Sequence, residues 1–146
     1  MGLIDSLPAG PVAIDTQIVI YFIQRHPDFV DVVRPLFEAA DQGSVELVTS
    51  ALTLLEVLVV PYREGDMSLA ARYEALLTGS RGLTLVEVGT QVLRGAAYLR
   101  AVHGTRTPDA VQLASALARG CGAFVTNDHH LRSLPNLRVV QLRDFV

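Results

Sequence analysis

The 146-residue sequence predicts an α/β fold, organised around a parallel sheet within one domain, residues 1–146. Short apolar runs of the kind that form buried strands recur along the chain, alternating with stretches whose apolar residues have helical spacing. Half of the residues are apolar, which over this length supplies a sizeable core without metal or disulfide staples. No internal repeat, low-complexity tract or interdomain linker breaks the alternation.

Pro11-Val12-Ala13-Ile14 is the first strand, and a helix begins just after Asp15, carries Ile18, Phe22 and Ile23, and stops before Pro27. A second helix, from about Asp28 to Ala40, presents Val32, Val33, Leu36 and Phe37 and ends before Gly43. Glu46-Leu47-Val48 is a short strand. Ser50 is expected to cap a helix running to Val60, with Pro61 as its stop signal. Asp66 opens another helix, ending near Gly79, so a helical pair separates that strand from the next, Leu83-Thr84-Leu85-Val86. Gly89 to Val102 is a helix. Thr107-Pro108 reads as a capping hydroxyl followed by proline at the first helical position, and this helix runs to Arg119 before Gly120. Ala123-Phe124-Val125 is a strand, His129 to Ser133 a short helical turn, and Arg138-Val139-Val140-Gln141 the last strand.

Composition bounds the function classes. Net charge is −3, an odd value for a nucleic-acid binder. All twelve basic residues are Arg, the better bidentate partner for phosphate, although genome-composition bias explains an all-Arg set more simply. Setting four carboxylates aside as metal ligands leaves twelve positive groups against eleven negative. The missing Lys excludes a P-loop. Cys121, the single cysteine, excludes an internal disulfide framework and a cysteine-based zinc cluster, and suits a reducing cytosol. No apolar run approaches a membrane span, and Met1 to Pro11 lacks both the charged leader and the long apolar core of a secretory signal, so a cytoplasmic protein is expected.

Four acids stand out by position. Asp15 directly follows the first strand, and Asp128 follows Phe124-Val125 with Thr126 and Asn127 between, at the carboxyl strand ends where open parallel sheets bind ligands. Taken singly, helix N-capping accounts for either. Glu56 is the only charge in the run from Ala51 to Val60, and helical spacing puts Leu52, Thr53, Val59 and Val60 on its side. A carboxylate on such a face must be paired, protonated, bound to a cation or on a wet edge, because an isolated buried charge is costly. Asp109 opens the Thr107-Pro108 helix, where dipole complementarity alone would explain it. Jointly, four such placements exceed what capping predicts. Clustered carboxylates repel and need a counter-cation, and all-oxygen sites suit Mg²⁺ or Mn²⁺. Thr16, Thr126 and Asn127 are candidates for oxygens that support the ligands from behind.

These residues resemble a known set. The chain is similar over nearly its whole length to PIN-domain proteins, and within them to ribonuclease toxins of the VapC type from toxin–antitoxin pairs. The landmarks are Ile14-Asp15-Thr16 followed by Val19-Ile20-Tyr21, the run from Thr49 to Val57 that ends in Glu56-Val57, Arg106-Thr107-Pro108-Asp109-Ala110, and Phe124-Val125-Thr126-Asn127-Asp128. The resemblance implies a three-layer α/β/α sandwich around a parallel sheet, with Asp15, Glu56, Asp109 and Asp128 holding one or two Mg²⁺ or Mn²⁺ ions for endonucleolytic RNA cleavage. It also implies a homodimer and a cognate antitoxin whose tail reaches over the active site. Family members commonly have Asn or Ser where this chain has Gln17, a longer side chain able to alter the local turn or water network.

Other features carry less. Adjacent His129 and His130 would point about 100° apart on a helix and rarely chelate one ion together, so surface or supporting roles are expected. His26 and His103 end predicted helices, and Cys121 reads as a small core residue. Arg25, Arg106 and Arg132 lie near the predicted site edge as candidate RNA phosphate contacts. Tyr21 and Phe22 are candidates to stack on a base, although periodicity makes Phe22 core. No Ser or Cys has the Gly-rich elbow of a hydrolase nucleophile. A covalent-aspartate phosphatase would want a second Asp at position 17, and a receiver-type domain would need a Lys. A DNA-directed or RNA-processing nuclease, and a catalytically silent binding module, remain as alternatives; a silent module would be expected to lack one of the four acids.

Overall fold

Five strands, β1 (Val12–Ile14), β2 (Leu47–Ser50), β3 (Leu83–Val86), β4 (Ala123–Thr126) and β5 (Arg138–Gln141), form one sheet in the order β3-β2-β1-β4-β5, every pairing parallel. They are seen in a computed structural model that describes residues 2–146; Met1, where the leader reading begins, lies outside the described residues. The period of two that sends alternate strand side chains to opposite faces divides the core. Val12, Ile14, Leu47, Ala123 and Val125 point to one side, where α1 (Leu3–Ser6), α2 (Thr16–Ile23), α3 (Val30–Asp41), α4 (Leu52–Glu64) and α5 (Met67–Gly79) pack. Ala13, Val48 and Phe124 point to the other, against α6 (Thr90–His103) and α7 (Thr107–Ala118). The result is the expected three-layer α/β/α sandwich. Ile14, Ile18, Leu36 and Leu47 are wholly buried, each worth about 1.5–3 kcal/mol relative to exposure.

The connections locate the site. The chain steps outward from β1 to β2 and β3, then returns across the sheet to lay β4 on the free edge of β1. The strand order therefore reverses between β1 and β4, and the crevice beyond their carboxyl ends is where such sheets bind ligands. Gly82 makes the tight entry to β3 possible: its φ is +78°, and a Cβ there would stand 2.1 Å from the Ala40 carbonyl oxygen.

Local readings need four corrections. Pro61 does not stop α4; it is buried inside the helix, which runs on to Glu64 and ends at Gly65 with φ 70°. Ser50 is the last residue of β2 and Ala51 stands at the cap position, though the Ser50 hydroxyl still accepts from the Leu52 amide at 3.1 Å. Arg106, not Thr107, occupies the cap of α7. The segment from His129 to Ser133 is not helical: a turn from Leu131 N to Asp128 O leads to a bridge between Leu134 and Leu137. Two short elements lack a sequence signal, α1 and a closing 3-10 turn, Leu142–Phe145, which bury Leu3 and Leu142.

Candidate active site

Asp15, Glu56, Asp109 and Asp128 line one cleft of about 200 Å³, together with Thr16, Gln17, Arg106, Pro108 and Gln112. Each acid arrives from a different element. Asp15 leaves β1 and caps α2, its Oδ1 accepting from the Thr16 amide at 2.8 Å. Its Oδ2 accepts from the Thr126 hydroxyl at 2.6 Å, a bond across the β1–β4 reversal. Burial pushes the Asp15 carboxyl above its ordinary range; the bonds from Thr126 and Thr16 pull it back, and the charges of Asp109 and Glu56 push it up again. Repulsion from two other acids is the electrostatic signature of a shared cleft.

Glu56 lies in the second turn of α4 and is half-buried. Its Oε1 accepts from the Thr16 hydroxyl at 2.6 Å and from Gln112 Nε2 at 3.3 Å, so a hydroxyl and an amide, not a buried arginine, hold it. Gln112 Nε2 also donates to Thr53 at 2.9 Å and Thr16 at 3.2 Å. Thr49 donates to the Ile14 carbonyl and meets Thr53 at 2.8 Å, which ties this network to the sheet. The apolar neighbours expected to bury Glu56 do not all do so: Val59 and Val60 are exposed, so its face is wetter than the sequence suggests.

Asp109 stands in the first turn of α7, at the positive end of the helix dipole. Arg106 donates to its Oδ2 from Nε at 3.3 Å and Nη2 at 3.2 Å, and Nη2 lies 3.9 Å from Asp128 Oδ2. The Arg106 side chain is 78% exposed, so this is a screened surface contact worth about 0–1 kcal/mol. One exposed arginine cannot neutralise four acids. Asp128 is tied to Asp15 through Thr126, whose Oγ1 accepts from the Asp128 amide at 3.0 Å. Its Oδ1 accepts from the His130 amide at 2.9 Å, and Gln141 Nε2 donates to its carbonyl at 3.0 Å.

The donor chemistry fits a hard divalent cation. Four carboxylates of one sign converge, with exposed Arg106 between them and the exposed His130 ring 3.2 Å from Asp128 Oδ1, and the buried Gln112 Oε1 has no hydrogen-bond partner among the described residues. Mg²⁺ keeps several waters, so its carboxylates need not touch one another. Among the described residues, the three His, Cys, Asp or Glu ligand atoms that come within 4.8 Å of one another belong to Asp128, His129 and His130. Both histidines are exposed, their rings tilted at a centroid distance of 4.0 Å.

The remaining sequence-predicted residues divide. Thr16 donates to Glu56 and Thr126 to Asp15. Asn127 does not reach the acids; its Nδ2 donates to the Tyr21 hydroxyl at 3.1 Å. Arg25 is a correction: it stands two residues past the end of α2 and lines a separate cleft with Arg34, Glu38 and Arg72, not the acid cleft. Arg132 lines a cleft that also contains Arg106 and Asp109. Tyr21 stacks on Phe29 and Phe22 on Phe37, and neither ring lines the acid cleft. Gln17 is exposed at the cleft and leaves the turn intact, with Ile18 N bonded to Asp15 O. Cys121 is buried as expected, its thiol pushed up to about 11 chiefly by desolvation. Sequence reasoning missed Gln112 and the Thr49–Thr53 pair. Their signals were a lone amide one turn beyond Asp109 inside an apolar helix face, and two hydroxyls four residues apart.

A family model described as the PIN domain matches residues 12–137. Among curated proteins none matches. Several solved structures share the fold. VapBC2 from Rickettsia felis, bound to a promoter DNA fragment, is 18% identical with a TM-score of 0.71, over 90% of this chain and 98% of that one. A toxin–antitoxin complex from Klebsiella pneumoniae is 18% identical with a TM-score of 0.66, over 90% and 97%. DNA-bound VapBC from Salmonella typhimurium is 21% identical with a TM-score of 0.64, over 90% and 98%.

Proposed function

The chain belongs to the PIN-domain family, and from that premise we propose that it is a metal-dependent endoribonuclease and the toxin of a toxin–antitoxin pair. The observation that carries this reading is the convergence of Asp15, Glu56, Asp109 and Asp128 on one cleft at the strand-order reversal. These four residues would hold Mg²⁺ or Mn²⁺, and such an ion, when bound, supplies Lewis acidity and charge neutralisation at a phosphodiester. The chain's own groups do the positioning. Thr126 fixes Asp15 and Asp128 relative to each other, and Thr16 with Gln112 fixes Glu56. Arg106, exposed at the mouth, is set to meet an RNA phosphate.

The toxin assignment draws on the three neighbouring structures, all of which are toxin–antitoxin complexes. A cognate antitoxin and a second copy of the chain need apolar surface. Leu55, Val59 and Tyr62 on α4, and Leu93, Tyr98 and Val102 on α6, offer it. Among the described residues no helix is long and apolar enough to cross a membrane.

Incubation of purified protein with an RNA pool in Mg²⁺ or Mn²⁺ tests the chemistry. Cleavage is expected to cease with EDTA and in Asp15→Asn, whose circular dichroism stays native. Unchanged cleavage in Asp15→Asn would refute the site. Strong expression of the soluble chain alone is expected to arrest growth, and normal growth would count against the toxin role while leaving the nuclease chemistry standing.

A further inference from the structure

Beside the acids lies a larger cleft, of about 540 Å³, between the α6–α7 turn and the loop that follows β4. Arg106, His130 and Arg132 form its polar wall, and Leu113, Leu131 and Leu134 contribute apolar surface. Arg106 and Asp109 line both clefts, so the two adjoin. We infer that this second cleft is a subsite for the RNA nucleotide next to the scissile phosphodiester, with Arg132 on its phosphate and the leucines under its base. The inference rests on the nuclease reading and adds to it where the flanking strand runs.

Three features favour this occupant. The volume lies within the roughly 300–1,000 Å³ typical of small-ligand sites. Arg132 is exposed and has no carboxylate partner among the described residues, which leaves its five donors for a ligand. A cation beside apolar side chains matches the two halves of a nucleotide, an anionic phosphate and a flat base. The other arginine-rich cleft, of about 460 Å³ and also lined by apolar Phe22, Ile23 and Val30, differs in its charges and its position. There Arg34 pairs with Asp31, Arg72 is spent on the Ile23 carbonyl, Glu38 adds a negative charge, and none of the four acids lines it.

Fluorescence anisotropy with a labelled 12-nucleotide random-sequence RNA pool tests the subsite, using Asp15→Asn protein in Mg²⁺ so that nothing is cut. A single-strand phosphate contact releases about 0.7 counterion, which at 50 mM salt corresponds to about eightfold in affinity. Adding Arg132→Ala is expected to weaken binding about eightfold at 50 mM salt and to flatten the salt slope by about 0.7. Arg132→Lys is expected to retain most of the slope. Arg34→Ala is expected to change neither quantity. In otherwise wild-type protein, Arg132→Ala is expected to raise KM with little change in kcat. Pool binding by the parent that Arg132→Ala leaves within twofold would overturn the subsite and open the cleft to a protein partner. Failure of the parent to bind the pool, with no cleavage by wild type, would overturn the nuclease reading and the subsite with it.

Discussion

Replacing Thr126 by Val removes one oxygen and almost no volume, at a residue with no exposed surface. That oxygen donates to Asp15 Oδ2 at 2.6 Å and accepts from the Asp128 amide at 3.0 Å. A hydrogen bond to a charged group contributes about 1.5–3 kcal/mol, and the stranded amide costs about 1 kcal/mol more. The metal-free variant should therefore be less stable by about 2.5–4 kcal/mol at pH 7. At about 2–4 °C per kcal/mol for a chain of this size, Tm falls by roughly 5–15 °C. The bond favours ionised Asp15, so its loss raises that carboxyl further. The penalty is thus largest where Asp15 is ionised, and shrinks toward about 2 kcal/mol, a neutral hydrogen bond plus the stranded amide, as acid protonates it. Thr126→Ser keeps the oxygen and should recover most of the loss. Mn²⁺ affinity and cleavage should fall about 10- to 100-fold in the Val variant, since both acids lose their common support. Calorimetric unfolding at pH 7 and pH 4 reads the stability. A Tm within about 1 °C of wild type, or a penalty that does not shrink on acidification, would refute the claim that Thr126 braces the acids.

Two further perturbations test the electrostatics and the frame. The folded Asp15 carboxyl is raised above its ordinary value of 3.8, so between that value and the raised one the folded chain holds a proton the unfolded chain has released. Stability therefore falls as pH rises through this window. Asp15→Asn should unfold at higher temperature than wild type at pH 7 without metal, with the gap closing below about pH 4; a gap of constant size across pH would contradict this. Gly82→Ala drives a Cβ into the Ala40 carbonyl at a φ of +78° and should cost more than about 3 kcal/mol in urea denaturation, whereas a cost under about 1 kcal/mol would show the α3–β3 junction to be looser than described.

Most of the sheet and the long helices were legible, because buried parallel strands and amphipathic helices differ in period and length. The boundaries that failed did so for local reasons. Pro61 continues α4 because proline lacks only one helical donor and its ring finds a buried seat, a tertiary gain invisible in sequence. The His129–Ser133 segment is fixed by Leu131 and Leu134 docking on the α6–α7 side, not by helical spacing. At the site, the four acids could be picked out because each interrupts an apolar pattern or opens an element. Their supports were harder to see. Gln112 reads as a polar residue on a helix until α7 is laid against α2 and α4, and only that packing turns its amide toward Glu56. Arg25 was misjudged because proximity to Asp15 in sequence ignores the length of the helix between them.

Titration of the metal-free protein with Mn²⁺, followed by calorimetry or by the paramagnetic signal of the ion, tests most directly whether the four acids form one hard-cation site. Saturable binding is expected that weakens more than tenfold in Asp15→Asn and in Asp109→Asn and persists in the His129→Ala, His130→Ala double variant. Binding untouched by either Asn substitution but lost with the two histidines would move the ion to Asp128 and its neighbours, and contradict the four-acid centre.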